Sequence, residues 1–122
     1  MKIRFVLVCL LALASAVVTA ATDLTGRWTV TITLGNQRLA GIALLKENGG
    51  RVTGSIGVDE RNQHPLDGVI EGNRVTLATH PRPGATVAFA MAHLTVDGDK
   101  MTGTTEGGDL VDSARIELVR EK

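Results

Sequence analysis

Trp28, Val30, Ile32 and Leu34 alternate with Thr29, Thr31 and Thr33. A period of two in aromatic and β-branched residues demands a strand with one dry and one wet face. The entry to this strand, Arg27-Trp28-Thr29, is a basic-apolar-threonine motif that recurs at Arg51-Val52-Thr53, Arg74-Val75-Thr76 and Lys100-Met101-Thr102. The four basic residues are spaced by 24, 23 and 26 positions, about one hairpin and its connection. Each motif therefore marks the outgoing strand of a pair.

The last three motifs follow a two-residue turn with Gly first: Gly49-Gly50, Gly72-Asn73 and Gly98-Asp99. Glycine accepts the positive φ that a hairpin turn of this length needs, so consecutive strands are antiparallel neighbours. In chain order the strands are expected at Thr25–Leu34, Leu39–Glu47, Arg51–Val58, His64–Glu71, Arg74–Thr79, Ala85–Val96, Met101–Thr105 and Ala114–Arg120. No segment has helical periodicity. The loop His80-Pro81-Arg82-Pro83-Gly84 cannot lie inside a sheet. An open meander of this size would leave two raw edges, and pairing the first strand with the last removes both. The expected fold is an all-β, eight-stranded antiparallel up-and-down barrel.

Turn register assigns the dry face. With Asp97 opposite Lys100, Val96 pairs with Met101 and Leu94 with Gly103; with Glu71 opposite Arg74, Ile70 pairs with Val75. The inward set then holds Trp28, Val30, Ile32, Leu34, Leu45, Val52, Ile56, Val58, Leu66, Ile70, Val75, Leu77, Leu94, Val96, Met101, Ile116 and Leu118. Gly41, Ala43, Gly54, Ala88, Ala90, Ala92 and Gly103 fall on the same side and lighten it.

Residues 1–20 read as a cleavable secretory signal: Lys2 and Arg4, an apolar run from Phe5 to Ala14, and the small-residue end Val18-Thr19-Ala20. Residues 21–122 are then a single domain. The run is shorter than the ~20 apolar residues of a membrane span, so no anchor is expected after cleavage. The chain has 13 basic and 13 acidic residues, and loss of Lys2 and Arg4 leaves it slightly acidic. Without a basic cluster it is no candidate for nucleic-acid binding. Its one cysteine, Cys9, lies in the leader, which removes disulfides, thiolate ligands and a cysteine nucleophile together.

With Gly26-Arg27-Trp28 near the mature start and Arg120 on the last strand, the chain resembles the calycin barrels: lipocalins, fatty-acid-binding proteins and avidins. The resemblance implies that Gly26, Trp28 and Arg120 close one end, the indole packed inside and the guanidinium across it. Parity agrees, because Ala114, Ile116, Leu118 and Arg120 share a face. The turn and strand pattern also looks like that of small secreted bacterial β-barrel domains of unassigned activity. Only Trp28 and Phe89 are aromatic after the leader, so an aromatic-lined biotin pocket is not implied.

His64, His80 and His93 are irregularly spaced, two beside prolines and one mid-strand on the outer face. They read as solvated side chains rather than a metal site, although His64 or His80 could pair with Asp59 or Asp67. Ser55 and Ser113 lie in no nucleophile elbow. Glu47 falls on the inward side near Val52, where it could anchor a ligand or meet a cation. Ile42 and Leu44 on strand two, with Val87, Phe89 and Met91 on strand six, are apolar on the supposed outer wall. Either a homo-oligomer buries them, or a β-bulge turns Phe89 and Met91 inward and leaves Ala88, Ala90 and Ala92 outside.

The expected function is that of a secreted or periplasmic, non-catalytic binding module with a small apolar ligand in the barrel. Trp28, Leu45, Glu47, Leu66, Leu77 and Leu94 are the candidate ligand residues. The alternative is a protein-interaction or structural envelope module with a self-filled core. It would use an outer wall, including Ile42, Leu44, Phe89 and Met91, or the loops Asp59–Gln63 and His80–Gly84. No residue pattern implies a cofactor or catalytic group.

Overall fold

The computed structural model describes residues 23–110 and 112–122. The leader read at residues 1–20 lies outside them. Eight strands follow in order: β1 (Gly26–Leu34), β2 (Gln37–Asn48), β3 (Arg51–Gly57), β4 (Gln63–Glu71), β5 (Arg74–Thr79), β6 (Met91–Asp97), β7 (Lys100–Glu106) and β8 (Arg115–Arg120). Each pairs antiparallel with the next, and β1 pairs with β8, so the sheet is a closed barrel with meander topology. Closure leaves no free edge among these strands. The registers at Asp97↔Lys100 and Glu71↔Arg74 are those the glycine turns dictate.

The two-residue turns at Gly49, Gly72 and Gly98 share one end of the barrel, and each of these glycines has φ near +60° (63°, 62° and 63°). The fourth such turn, Gly35-Asn36, lets β2 start at Gln37 rather than Leu39. It lies at the other end, together with the longer connections 58–62, 80–90 and 107–114. One end is thus tied by hairpins and the other carries the loops. That asymmetry locates the site.

Alternate residues fill the interior: Trp28, Val30 and Ile32 of β1; Ala43 and Leu45 of β2; Val52 and Ile56 of β3; Leu66 of β4; Val75 and Leu77 of β5. Ala92, Leu94 and Val96 of β6, Met101 of β7, and Ile116 and Leu118 of β8 complete it. Val58 departs from the expected dry face and is 69% exposed, because β3 ends at Gly57.

Strand six is the largest departure. It begins at Met91, not Ala85, and the residues before it form an irregular segment at the loop-bearing end. Within β6 the expected parity holds, with Ala92 buried and Met91 half-buried on the outer side. Parity breaks two residues before Met91, where Phe89 is only 3% exposed. The break is made on the neighbouring β7–β8 connection: Ala90 N donates to Glu106 O at 3.0 Å and Leu110 N to Ala88 O at 3.0 Å, leaving Phe89 opposite the stretch 107–109. Gly107 and Gly108 both have positive φ, 74° and 75°. A Cβ on Gly108 would come within 2.6 Å of Phe89 Cα, so only glycine lets the strands stay paired past the inserted residues. The bulge therefore turns Phe89 inward alone, and Met91 stays outside.

Candidate functional site

The hairpin end is sealed by the segment before β1. Leu24 and Trp28 are both fully buried, and the indole Nε1 donates to the Leu24 carbonyl at 2.9 Å. Arg120 lies over the indole with its guanidinium carbon 4.5 Å from the ring centroid. Its Nη1 and Nη2 donate to the carbonyls of Thr25 and Asp23, each at 2.6 Å, and its Nε to Asp99 Oδ1 at 2.9 Å. A planar, five-donor guanidinium can hold two carbonyls, a carboxylate and a π-face at once, which an ammonium cannot. Gly26 is required beside it, since a Cβ there would sit 3.1 Å from Arg120 Nη1 on a backbone with φ +146°.

Glu47 belongs to this seal. Its Oε1 accepts from the Leu24 amide at 2.9 Å, and its own amide donates to Thr25 Oγ1 at 3.0 Å. The carboxylate fastens the N-terminal segment to β2.

The opposite end is hollow. A cavity of about 360 Å³ opens between the loops. Val30 and Ile32 of β1, Ile56 of β3, and Val87, Ala88 and Phe89 of the bulged segment form its apolar wall. Gly41, Gly57 and Thr79 contribute small surfaces, while Leu39, Val58, Asn62 and Thr86 stand at the rim. Phe89 is held in place through its carbonyl, which accepts from Thr79 Oγ1 at 2.9 Å.

Trp28, Leu45, Leu66, Leu77 and Leu94 are all buried in the packed core and none of them lines this cavity. Ala43 and Ala92 are likewise packed in the core, whereas Gly41 and Ala88 do border the hollow space. His64, expected at the start of the fourth strand as a solvated side chain beside Pro65, is instead half-buried. It lies in β4, opposite Ile56, and lines the cavity. The signal was parity, because residues 64, 66, 68 and 70 share a face with buried Leu66.

His80 Nε2 meets Asp67 Oδ1 at 2.9 Å and His93 Nε2 lies 3.5 Å from Glu106 Oε2, both pairs exposed and neither at the cavity. Among the described residues no group of three His, Cys, Asp or Glu could hold a metal. Ile42 and Leu44 on β2 stand four strands from Met91 on β6 in an eight-stranded ring, so they occupy opposite walls. Phe89, being buried, belongs to neither.

The loop that borders the cavity after β3 is ordered by Asp59. Its carboxylate accepts from the amides of Arg61 and Asn62, each at 2.9 Å, and from the Asn62 side chain. The Asn62 amide first, then the Arg61 amide, hold the carboxyl below the usual aspartate range. A lowered pKa makes this contribution complete above that range and lost as pH falls through the lowered value. Amide resonances of Arg61 and Asn62 are expected to move with a midpoint below the ordinary aspartate value. The same titration of Asp59→Asn should leave them flat. Movement centred near neutrality would reject this role for Asp59.

Comparison with family models, with curated proteins and with solved structures returns no match in any of the three. Function is therefore argued from the site itself, since a barrel alone implies none.

Proposed function

We propose that this chain is a secreted or periplasmic, non-catalytic binding module of calycin type, which holds one small apolar ligand in the loop-bearing end of its barrel. The cavity of about 360 Å³ opposite a sealed end carries the reading. Its size falls in the range of ligand sites, roughly 300–1,000 Å³, and its walls supply desolvation with few polar contacts. The leader at residues 1–20 supports export. The exposed His80–Asp67 pair stands outside the cavity.

A neutral apolar fluorophore, N-phenyl-1-naphthylamine, tests the reading. It is expected to bind with one-to-one stoichiometry. Ile32 lines the cavity from a strand and is 6% exposed, so Ile32→Trp fills the space from a rigid support. That variant should weaken the probe about tenfold or more, ~1.4 kcal/mol, while the β-sheet circular dichroism is retained. Equal binding by both proteins would place the probe elsewhere and reject the cavity as the site.

The rival reading, an interaction module, draws on Ile42, Leu44 and Val119. These lie on adjacent strands around Thr29, and Leu44 and Val119 are 39% and 42% exposed. Failure of the probe to bind, together with a concentration-dependent dimer that Leu44→Glu abolishes, would favour it.

A further inference from the structure

We infer that the ligand carries one neutral hydrogen-bonding head, as an alcohol, amide or lactone does, and that His64 receives it. This rests on the binding-module reading and adds the chemistry of the ligand's polar end. Among the described residues that line the cavity, His64 is the only ionisable side chain. It is half-buried on the inward face of β4, and neither ring nitrogen has a hydrogen-bond partner among the described residues.

The other polar side chains at the cavity differ from it. Asn62 gives its amide nitrogen to Asp59 at 2.9 Å, Thr79 gives its hydroxyl to Phe89 O, and Thr86 is exposed at the rim. No buried side-chain nitrogen among the described residues lacks a partner, so the His64 ring nitrogens are open to solvent; set in an otherwise apolar wall, they are the donor and acceptor that a ligand's polar end can take in place of water.

The sign of the head group follows from what is missing around it. The charged and titratable residues near the open end are Arg38 on β2, Asp59, Glu60 and Arg61 on the β3–β4 loop, Asp67 on β4, His80 and Arg82 on the β5–β6 loop, Glu106 on β7, Asp109 and Asp112 on the β7–β8 connection, and Arg115 on β8; the Asp109 amide donates to the Val87 carbonyl at 2.9 Å. None lines the cavity. A buried carboxylate or ammonium would have no fixed counter-charge, and desolvating an unpaired ion costs far more than desolvating a hydroxyl or amide. The volume sets the length. At the ~30 Å³ that a water takes in the liquid, the cavity has room for about a dozen heavy atoms.

Displacement of bound N-phenyl-1-naphthylamine at pH 7.5 by decan-1-ol, decanoate and decylammonium compares three heads on one chain. Decan-1-ol is expected to bind about tenfold or more tightly than either ion. With each variant's own probe affinity as the reference, His64→Leu should weaken the alcohol about five- to tenfold relative to the probe, and His64→Gln, which retains a donor and an acceptor, should recover most of that loss. Decanoate or decylammonium binding as tightly as the alcohol would overturn the neutral head while leaving the cavity reading intact. So would an alcohol affinity indifferent to His64→Leu. A probe that never binds would reject both.

Discussion

Replacing Trp28 with alanine is expected to lower unfolding stability by about 3–5 kcal/mol, which for a domain of this size corresponds to a fall in Tm of about 12 °C or more. Trp28 is the largest fully buried side chain in the barrel. Its removal leaves a cavity under Arg120, breaks the hydrogen bond to the Leu24 carbonyl and takes away the surface on which the guanidinium rests. The loss reaches beyond one side chain, because Leu24, Thr25, Glu47 and Arg120 are held in a mutual set of contacts around that ring. Trp28→Phe keeps an aromatic face and should lose only part of this. Arg120→Lys should cost about 1.5–3 kcal/mol, since an ammonium cannot replace the fork that holds the Thr25 and Asp23 carbonyls. Combined with Trp28→Ala it should add little, as expected for residues in contact. Thermal and urea unfolding of the four proteins checks the series, and fully additive losses would show that the two residues act apart.

Gly103→Ala should destabilise by about 3 kcal/mol or more, at the upper end of overpacking penalties, because the obstacle is backbone. Gly103 lies in β7 between Leu94 and Ile116. An added Cβ would overlap the carbonyl oxygen of His93 and sit 2.9 Å from Leu94 Cα. Neither atom can move without shifting β6. Gly98→Ala is the control: its φ is +63° and nothing lies within 4 Å of a Cβ there, so it should cost only about 1–2 kcal/mol for the left-handed conformation. Urea midpoints at unchanged slope measure both. Equal losses at the two sites would mean that strands six and seven do not approach as closely as this geometry requires.

Gly54 behaves as Gly103 does, since a Cβ would overlap the Leu44 carbonyl oxygen on a backbone with φ +151°. This corrects the expectation that Gly54 lightens the interior for a ligand. It allows two strands to pinch together in a tightly coiled small barrel, where glycine serves curvature.

Strand order and closure are legible in the sequence. Alternation at Trp28–Leu34, the recurring basic-apolar-threonine entries and the glycine-first turns are local signals, and local chemistry decides hairpin register. Trp28 and Arg120 could be brought together by parity alone once β1 and β8 were paired. What the sequence could not place was the cavity. Leu45, Leu66, Leu77 and Leu94 have the same alternation and composition as Val30, Ile32 and Ile56, yet the first group is packed solid and the second borders open space. The difference arises from their height along the barrel axis relative to loops of unequal length. It also depends on a bulge at Gly107-Gly108 that sends Phe89 across the mouth. A residue's face is a property of its own strand, whereas the space in front of it is set by side chains and loops distant in sequence. The fold could therefore be read residue by residue, and the site only after the chain had closed on itself.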